Sequence, residues 1–186
     1  MLKNAVDAAR SVANNLIHGK PPAGSAPASI ADIPLVRLDG TPLPHAELEG
    51  KAVLFVNVAS KCGLTPQYAQ LVDLDKRFKD RGLRVVGVPC NQFLGQEPGT
   101  ADEIQSFCAM KYGVDFPLLE KQDVNGSGRS PLYQLLVESE PGGGKDISWN
   151  FEKFLVGRDG RVAARFAPKT LPDAPDVLTA IEAALG

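Results

Sequence analysis

The spacing of apolar residues changes along the chain, and each change marks an element. Leu2, Ala5, Val6, Ala9, Val12 and Leu16 recur at helical spacing, and the Pro/Ala/Gly stretch at 21–28 then reads as a linker. Residues 1–28 are therefore expected to form a module apart from a body at 29–186. The body opens with Leu35–Leu38 and Thr41–Leu43 around Asp39-Gly40, a predicted hairpin. Ala52–Val58 reads as a buried strand. A helix follows from Pro66 to about Arg81, with Thr65 as N-cap, Gly82 as stop, and Tyr68, Leu71, Val72 and Phe78 facing inward. Leu83–Val88 is a second apolar strand, so strand, helix and strand make a βαβ unit with parallel strands. Thr100 and Glu103 form a capping box for a helix that ends near Gly113 and carries Ile104, Phe107 and Cys108 on one face. Val114–Leu118 reads as a short strand, Ser130-Pro131 as the start of a small helix, and Pro141–Gly144 as a flexible connection. Trp149–Val156 and Arg161–Phe166 form a second predicted hairpin about Gly157–Gly160. A last helix runs from about Ala174 to Leu185.

This order, β-α-β-α then β-β-α, predicts an α/β thioredoxin-like fold. A central mixed sheet is flanked by helices, with an N-terminal β-hairpin and an extra N-terminal helix. At 186 residues and 44% hydrophobic content the chain is long enough for one well-cored domain. A net charge of −2 with no basic block gives no sign of nucleic-acid binding. No apolar run approaches the roughly 20 residues that span a bilayer, so no stable membrane insertion is expected. The leader lacks the apolar core of a secretory signal, which favours a cytoplasmic protein and leaves organelle targeting by residues 1–20 open.

The candidate chemistry lies where the first long strand meets the first long helix. Cys62 follows Ala59-Ser60-Lys61 and precedes Gly63-Leu64-Thr65. Strand ends of this kind gather ligand and reaction sites, and a helix amino end favours a thiolate. The alternative is a small buried hydrophobe, the fate of most free cysteines. The three cysteines, Cys62, Cys90 and Cys108, form no C-x-x-C pair, and the two histidines, His18 and His45, lie far from them in sequence. A disulfide framework, a Cys/His zinc site and a Cys–His protease pair are all disfavoured, and no cofactor or metal is called for. The place of a second dithiol cysteine is taken by Thr65. A lone thiolate there can still attack peroxide oxygen and become a sulfenic acid, which another thiol can trap.

Three blocks resemble the signatures of the glutathione peroxidases: Asn57-Val58-Ala59-Ser60-Lys61-Cys62-Gly63, Pro89-Cys90-Asn91-Gln92-Phe93 with Gly95-Gln96-Glu97-Pro98-Gly99, and Trp149-Asn150-Phe151-x-Lys153-Phe154. The resemblance runs from about Ile30 to the C-terminus and is to the non-selenium, thioredoxin-dependent members. It implies that Cys62 is the peroxidatic residue and that Gln96, Trp149 and Asn150 complete a catalytic tetrad. Cys108 matches the resolving cysteine, and Cys90 is given no catalytic role. Hydrogen peroxide and organic or lipid hydroperoxides are the implied substrates. Thioredoxin is the implied reductant, with glutathione or relay of oxidation to a partner protein as alternatives. The short stretch between Leu136 and Trp149 implies a monomer. Leu94 departs from the glycine common in its loop. Lys61 and Lys153 are read as lysines that either meet anionic head groups or are simply solvated. If Cys108 resolves Cys62, its helix must open, because a disulfide needs Cα atoms within about 7 Å.

Overall fold

A computed structural model describes residues 29–186; the predicted leader helix and linker lie outside the described residues. The described residues open with a 3-10 turn, Ile30–Asp32, and a two-rung antiparallel hairpin of β1, Leu35–Val36, and β2, Pro42–Leu43. Gly40, at φ 83°, takes the left-handed position that this turn needs. The main sheet holds β3, Ala52–Val58, β4, Leu83–Pro89, β5, Lys153–Val156, and β6, Val162–Phe166. Its order is β4-β3-β5-β6, with β3 and β4 parallel and the other pairs antiparallel. This is the mixed sheet the sequence predicts.

Every residue of β3 is buried, because helices and loops cover both faces of the sheet. Leu54, Val56 and Val58 join a core with α1, Gln67–Phe78, and α4, Pro175–Leu185. Val53 and Phe55 join a second core on the opposite face, against the hairpin and α3, Pro131–Glu138. Asp75 fastens α1 to β4: its carboxylate accepts the Val85 N–H at 2.8 Å and pairs with Arg84 at 2.9 Å. Burial pushes this carboxyl up while both contacts pull it down.

The two ends of α2, Ala101–Tyr112, and the start of α3 follow the sequence. Helix α2 has Thr100 and Glu103 in a reciprocal capping box and Gly113 at φ 65°. Ser130 caps α3 with its side chain. Four expectations fail. Thr65 does not cap α1, because its hydroxyl is spent inside the Cys62 loop, and Pro66 takes the N-cap position without a side-chain bond. Val114–Leu118 is no strand. Pro117 has no N–H to give, and the segment makes only single bridges, Gly87 to Leu118 and Arg37 to Leu119. It still packs close: a Cβ on Gly87 would lie 2.6 Å from Leu118. Pro141–Gly144 is a packed turn, with buried Gly142 accepting from Arg165. The last hairpin starts at Lys153, so Trp149–Glu152 form a turn before it.

Candidate active site

Cys62 sits in a tight loop after β3. Its N–H donates to Thr65 Oγ1 at 3.0 Å, and that hydroxyl donates to the Ala59 carbonyl at 2.8 Å. Thr65 thus closes the loop on both sides of the cysteine. The Leu64 N–H donates to Cys62 Sγ at 3.3 Å. A backbone donor aimed at sulfur stabilises the anionic form more than the thiol. Cys62 remains 9% exposed, whereas Cys90 and Cys108 are fully covered. All three are free thiols.

Two further segments meet this loop. The Gln96 carbonyl accepts the Lys61 N–H at 3.0 Å, which holds the Gly95–Gly99 loop beside the cysteine. Asn150 Nδ2 donates to Gln96 Oε1 at 2.9 Å. With its oxygen engaged, the Gln96 amide has its N–H donors left for a reacting group. Asn150 is buried, and Trp149 is half-buried with its ring centroid 5.5 Å from that of Phe93. Cys62, Gln96 and the Trp149-Asn150 turn, nominated from separate sequence blocks, are joined by this chain of contacts.

Asn57 holds the turn in place and was not singled out from sequence. It is fully buried. Its Nδ2 donates to the Trp149 carbonyl at 3.0 Å, its Oδ1 accepts the Glu152 N–H at 3.1 Å, and its carbonyl accepts the Phe151 N–H at 2.6 Å. The turn needs this strapping because Phe151 lies at φ 66°, a left-handed conformation costly for a side chain of that size. The one available signal was a polar residue inside an otherwise apolar strand. Asn57→Ala removes both side-chain bonds and leaves buried groups unpaired. The expected cost is about 3 kcal/mol, read by denaturant unfolding, together with slower peroxide reduction in the fraction that remains folded.

Leu94 also adopts a left-handed conformation, at φ 53°, and projects 82% exposed. The loop keeps the backbone pose that suits glycine and carries a leucine at some strain. Glu97 beside it is fully buried, with neither carboxyl oxygen in a hydrogen bond. Burial pushes its carboxyl up, with the Lys121 and Lys61 charges pulling the other way. Glu97, Ser60, Lys61, Gly99, Ile104 and Phe107 line a cavity of about 440 Å³. The cavity lies between the Cys62 loop and α2; Cys62, Gln96 and Trp149 are outside its lining.

Cys108 sits on the buried side of α2, as the periodicity predicts, and belongs to the same apolar cluster as Cys62. Burial pushes its thiol up to about 11, with the Tyr68 hydroxyl pulling the other way. At neutral pH it is a protonated, covered thiol while α2 is folded. Cys90 is likewise buried, and burial pushes its thiol up. Lys61 is exposed, but Lys153 is not the surface lysine expected: it is fully buried at the start of β5. Among the described residues, no His, Cys, Asp and Glu cluster suits a metal ion, and no helix is long and apolar enough to cross a membrane.

The glutathione peroxidase family model matches residues 30–137. The chain is 63% identical over 152 residues to hydroperoxy fatty acid reductase Gpx2 of Synechocystis sp., covering 82% of this chain and 96% of that protein. It is 47% identical over 169 residues to thioredoxin/glutathione peroxidase BtuE of Escherichia coli, covering 80% and 92%. Among solved structures, T. cruzi GPX1 superposes with a TM-score of 0.69 at 33% identity, covering 85% of this chain and 97% of that one. Xanthomonas campestris peroxiredoxin Q, at 22% identity and a TM-score of 0.58 over 88% of this chain and 98% of that one, shares the fold. The chain therefore belongs to the glutathione peroxidase family, peroxidase oxidoreductases built on the thioredoxin-like fold.

Proposed function

We propose that the chain is a two-cysteine thiol peroxidase for hydrogen peroxide and for organic and lipid hydroperoxides. The Cys62 thiolate attacks the outer peroxide oxygen, the O–O bond breaks, and the alkoxide leaves as alcohol, or as water from hydrogen peroxide, after taking a proton. Cys62 becomes a sulfenic acid. Gln96, Asn150 and the Trp149 indole are the donors that stabilise the sulfur anion and the departing oxygen. The Cys108 thiol then displaces water from the sulfenic acid to form the Cys62–Cys108 disulfide. A thioredoxin dithiol reduces that disulfide and returns both thiols. The observation that carries this reading is the Leu64 N–H on Cys62 Sγ, in a loop tied by backbone to Gln96 and through it to Asn150.

Relatives named hydroperoxy fatty acid reductase and thioredoxin/glutathione peroxidase support both the substrate class and the reductant. Cys108 favours thioredoxin over glutathione, because a thiol in the same chain traps the sulfenic acid first. The working form is a monomer in the cytoplasm, with residues 1–28 a module separate from the peroxidase body at 29–186.

The test is to treat reduced protein with one equivalent of hydroperoxide, trap free thiols, and map peptides by mass spectrometry. A Cys62–Cys108 link is expected. Sulfenic or sulfinic acid on Cys62 with Cys108 still free would indicate direct reduction by glutathione. An unmodified Cys62 would overturn the reading.

A further inference from the structure

We propose that Lys153 is a positioning residue, whose buried ammonium clamps the turn presenting Trp149 and Asn150 and ties it to the helix that follows Cys62. Its Nζ donates to the Phe151 carbonyl at 2.6 Å and to the Pro168 carbonyl at 3.2 Å. The same Pro168 carbonyl accepts Gln67 Nε2, at the first residue of α1, at 2.8 Å. One carbonyl thus joins the helix behind the Cys62 loop to the donor turn. Asn57 straps the turn from one side, and Lys153 holds the carbonyl of its left-handed residue, Phe151, from the other. A cation with no exposed surface is costly unless bonds to it compensate. Methionine would fill the same space without that cost, so the ammonium is retained for what it holds.

Burial pulls the Lys153 pKa down to about 7, against the attraction of Glu152. The ammonium form predominates below that pH. Above it the neutral amine donates more weakly and the clamp loosens. Glu152 is itself engaged by Arg165 of β6 at 2.6 Å and by Ser148. The facing residues on β3 and β6, Val56 and Phe166, are apolar, Gln67 of α1 is neutral, and Lys169 beside Pro168 is exposed.

This inference deepens the reading of Trp149 and Asn150 as donors to Cys62, and one arm of its test is independent of that reading. Trp149 is the only tryptophan of the chain. Its fluorescence, followed from pH 5.5 to 9 in Cys62→Ser protein, is expected to titrate with a midpoint near 7. The transition should vanish in Cys62→Ser/Lys153→Met and in Cys62→Ser/Lys153→Gln. Lys153→Gln keeps a donor without the titrating charge and serves if Lys153→Met does not fold. With Cys62 intact, the folded variant should react with hydroperoxide at least about tenfold more slowly. A flat profile in Cys62→Ser protein, or a transition that survives removal of Lys153, overturns the proposal. So does wild-type peroxide reactivity in a folded Lys153 variant whenever Cys62→Ser has confirmed Cys62 as the nucleophile.

Discussion

Cys62→Ser is expected to lower hydroperoxide reduction by at least about 10⁴-fold while leaving the fold intact. A serine hydroxyl is scarcely ionised at neutral pH, and among the described residues no histidine or carboxylate is hydrogen-bonded to the Cys62 side chain to serve as its base. The loop does not depend on sulfur. It is closed by the Cys62 N–H on Thr65, by Thr65 on Ala59, and by the Thr65 N–H on the Cys62 carbonyl at 3.1 Å. Circular dichroism and thermal unfolding should therefore match wild type, so that lost activity reports chemistry rather than misfolding. Normal turnover in this variant would remove Cys62 from the mechanism. The donors should matter less: Asn150→Ala, which also frees the Gln96 amide to rotate, is expected to cost about 10²-fold.

Cys108→Ser should separate the first turnover from all later ones. The first equivalent of hydroperoxide is expected to be reduced at close to the wild-type rate, because in the proposed cycle Cys108 takes no part until Cys62 is oxidised. Steady turnover with thioredoxin then falls by at least about a hundredfold, since the sulfenic acid has no partner thiol to give the disulfide that thioredoxin attacks. Peroxide consumption in single-turnover and steady-state modes makes this separation. Equal losses in both would mean that Cys108 is only a core residue.

The proposed resolving step requires α2 to open. Of the twelve residues of α2 only Ile104 and Cys108 are buried, so little apolar surface opposes local opening. The helix is held by its capping box and Gly113 stop and by the half-buried Phe107 and Tyr112, the latter with its ring 5.4 Å from that of Tyr68. Opening also removes the burial that keeps Cys108 protonated. Amide exchange across 100–112 should therefore speed up in the oxidised protein. In the reduced protein, alkylation of Cys108 should lag far behind that of Cys62.

Much of this molecule was determined by local sequence. The buried strands β3 and β4 were readable as continuous apolar runs, because a strand covered on both faces has no reason to alternate. Thr100, Glu103, Gly113 and Ser130 announced helix ends, because a cap needs only groups a few residues apart. The order of elements was enough for the fold, and three signature blocks were enough to nominate Cys62, Gln96, Trp149 and Asn150. Tertiary structure decided which polar residues work inside the core. Asn57 reads as an interruption of a strand, and its partners lie 92 and 95 residues away. Lys153 reads as a surface lysine until the Pro168 carbonyl closes over it. Thr65 reads as a helix cap until its hydroxyl is claimed by Cys62 and Ala59. Val114–Leu118 reads as a strand, yet Pro117 and the close approach to Gly87 leave it only isolated bridges. The physical reason is clearest for Asn57 and Lys153; the partners of Thr65 lie only three and six residues away and compete with the helix cap locally. Apolar burial and capping depend on neighbours in sequence, whereas a buried hydrogen bond depends on a partner that only the completed fold brings within about 3 Å.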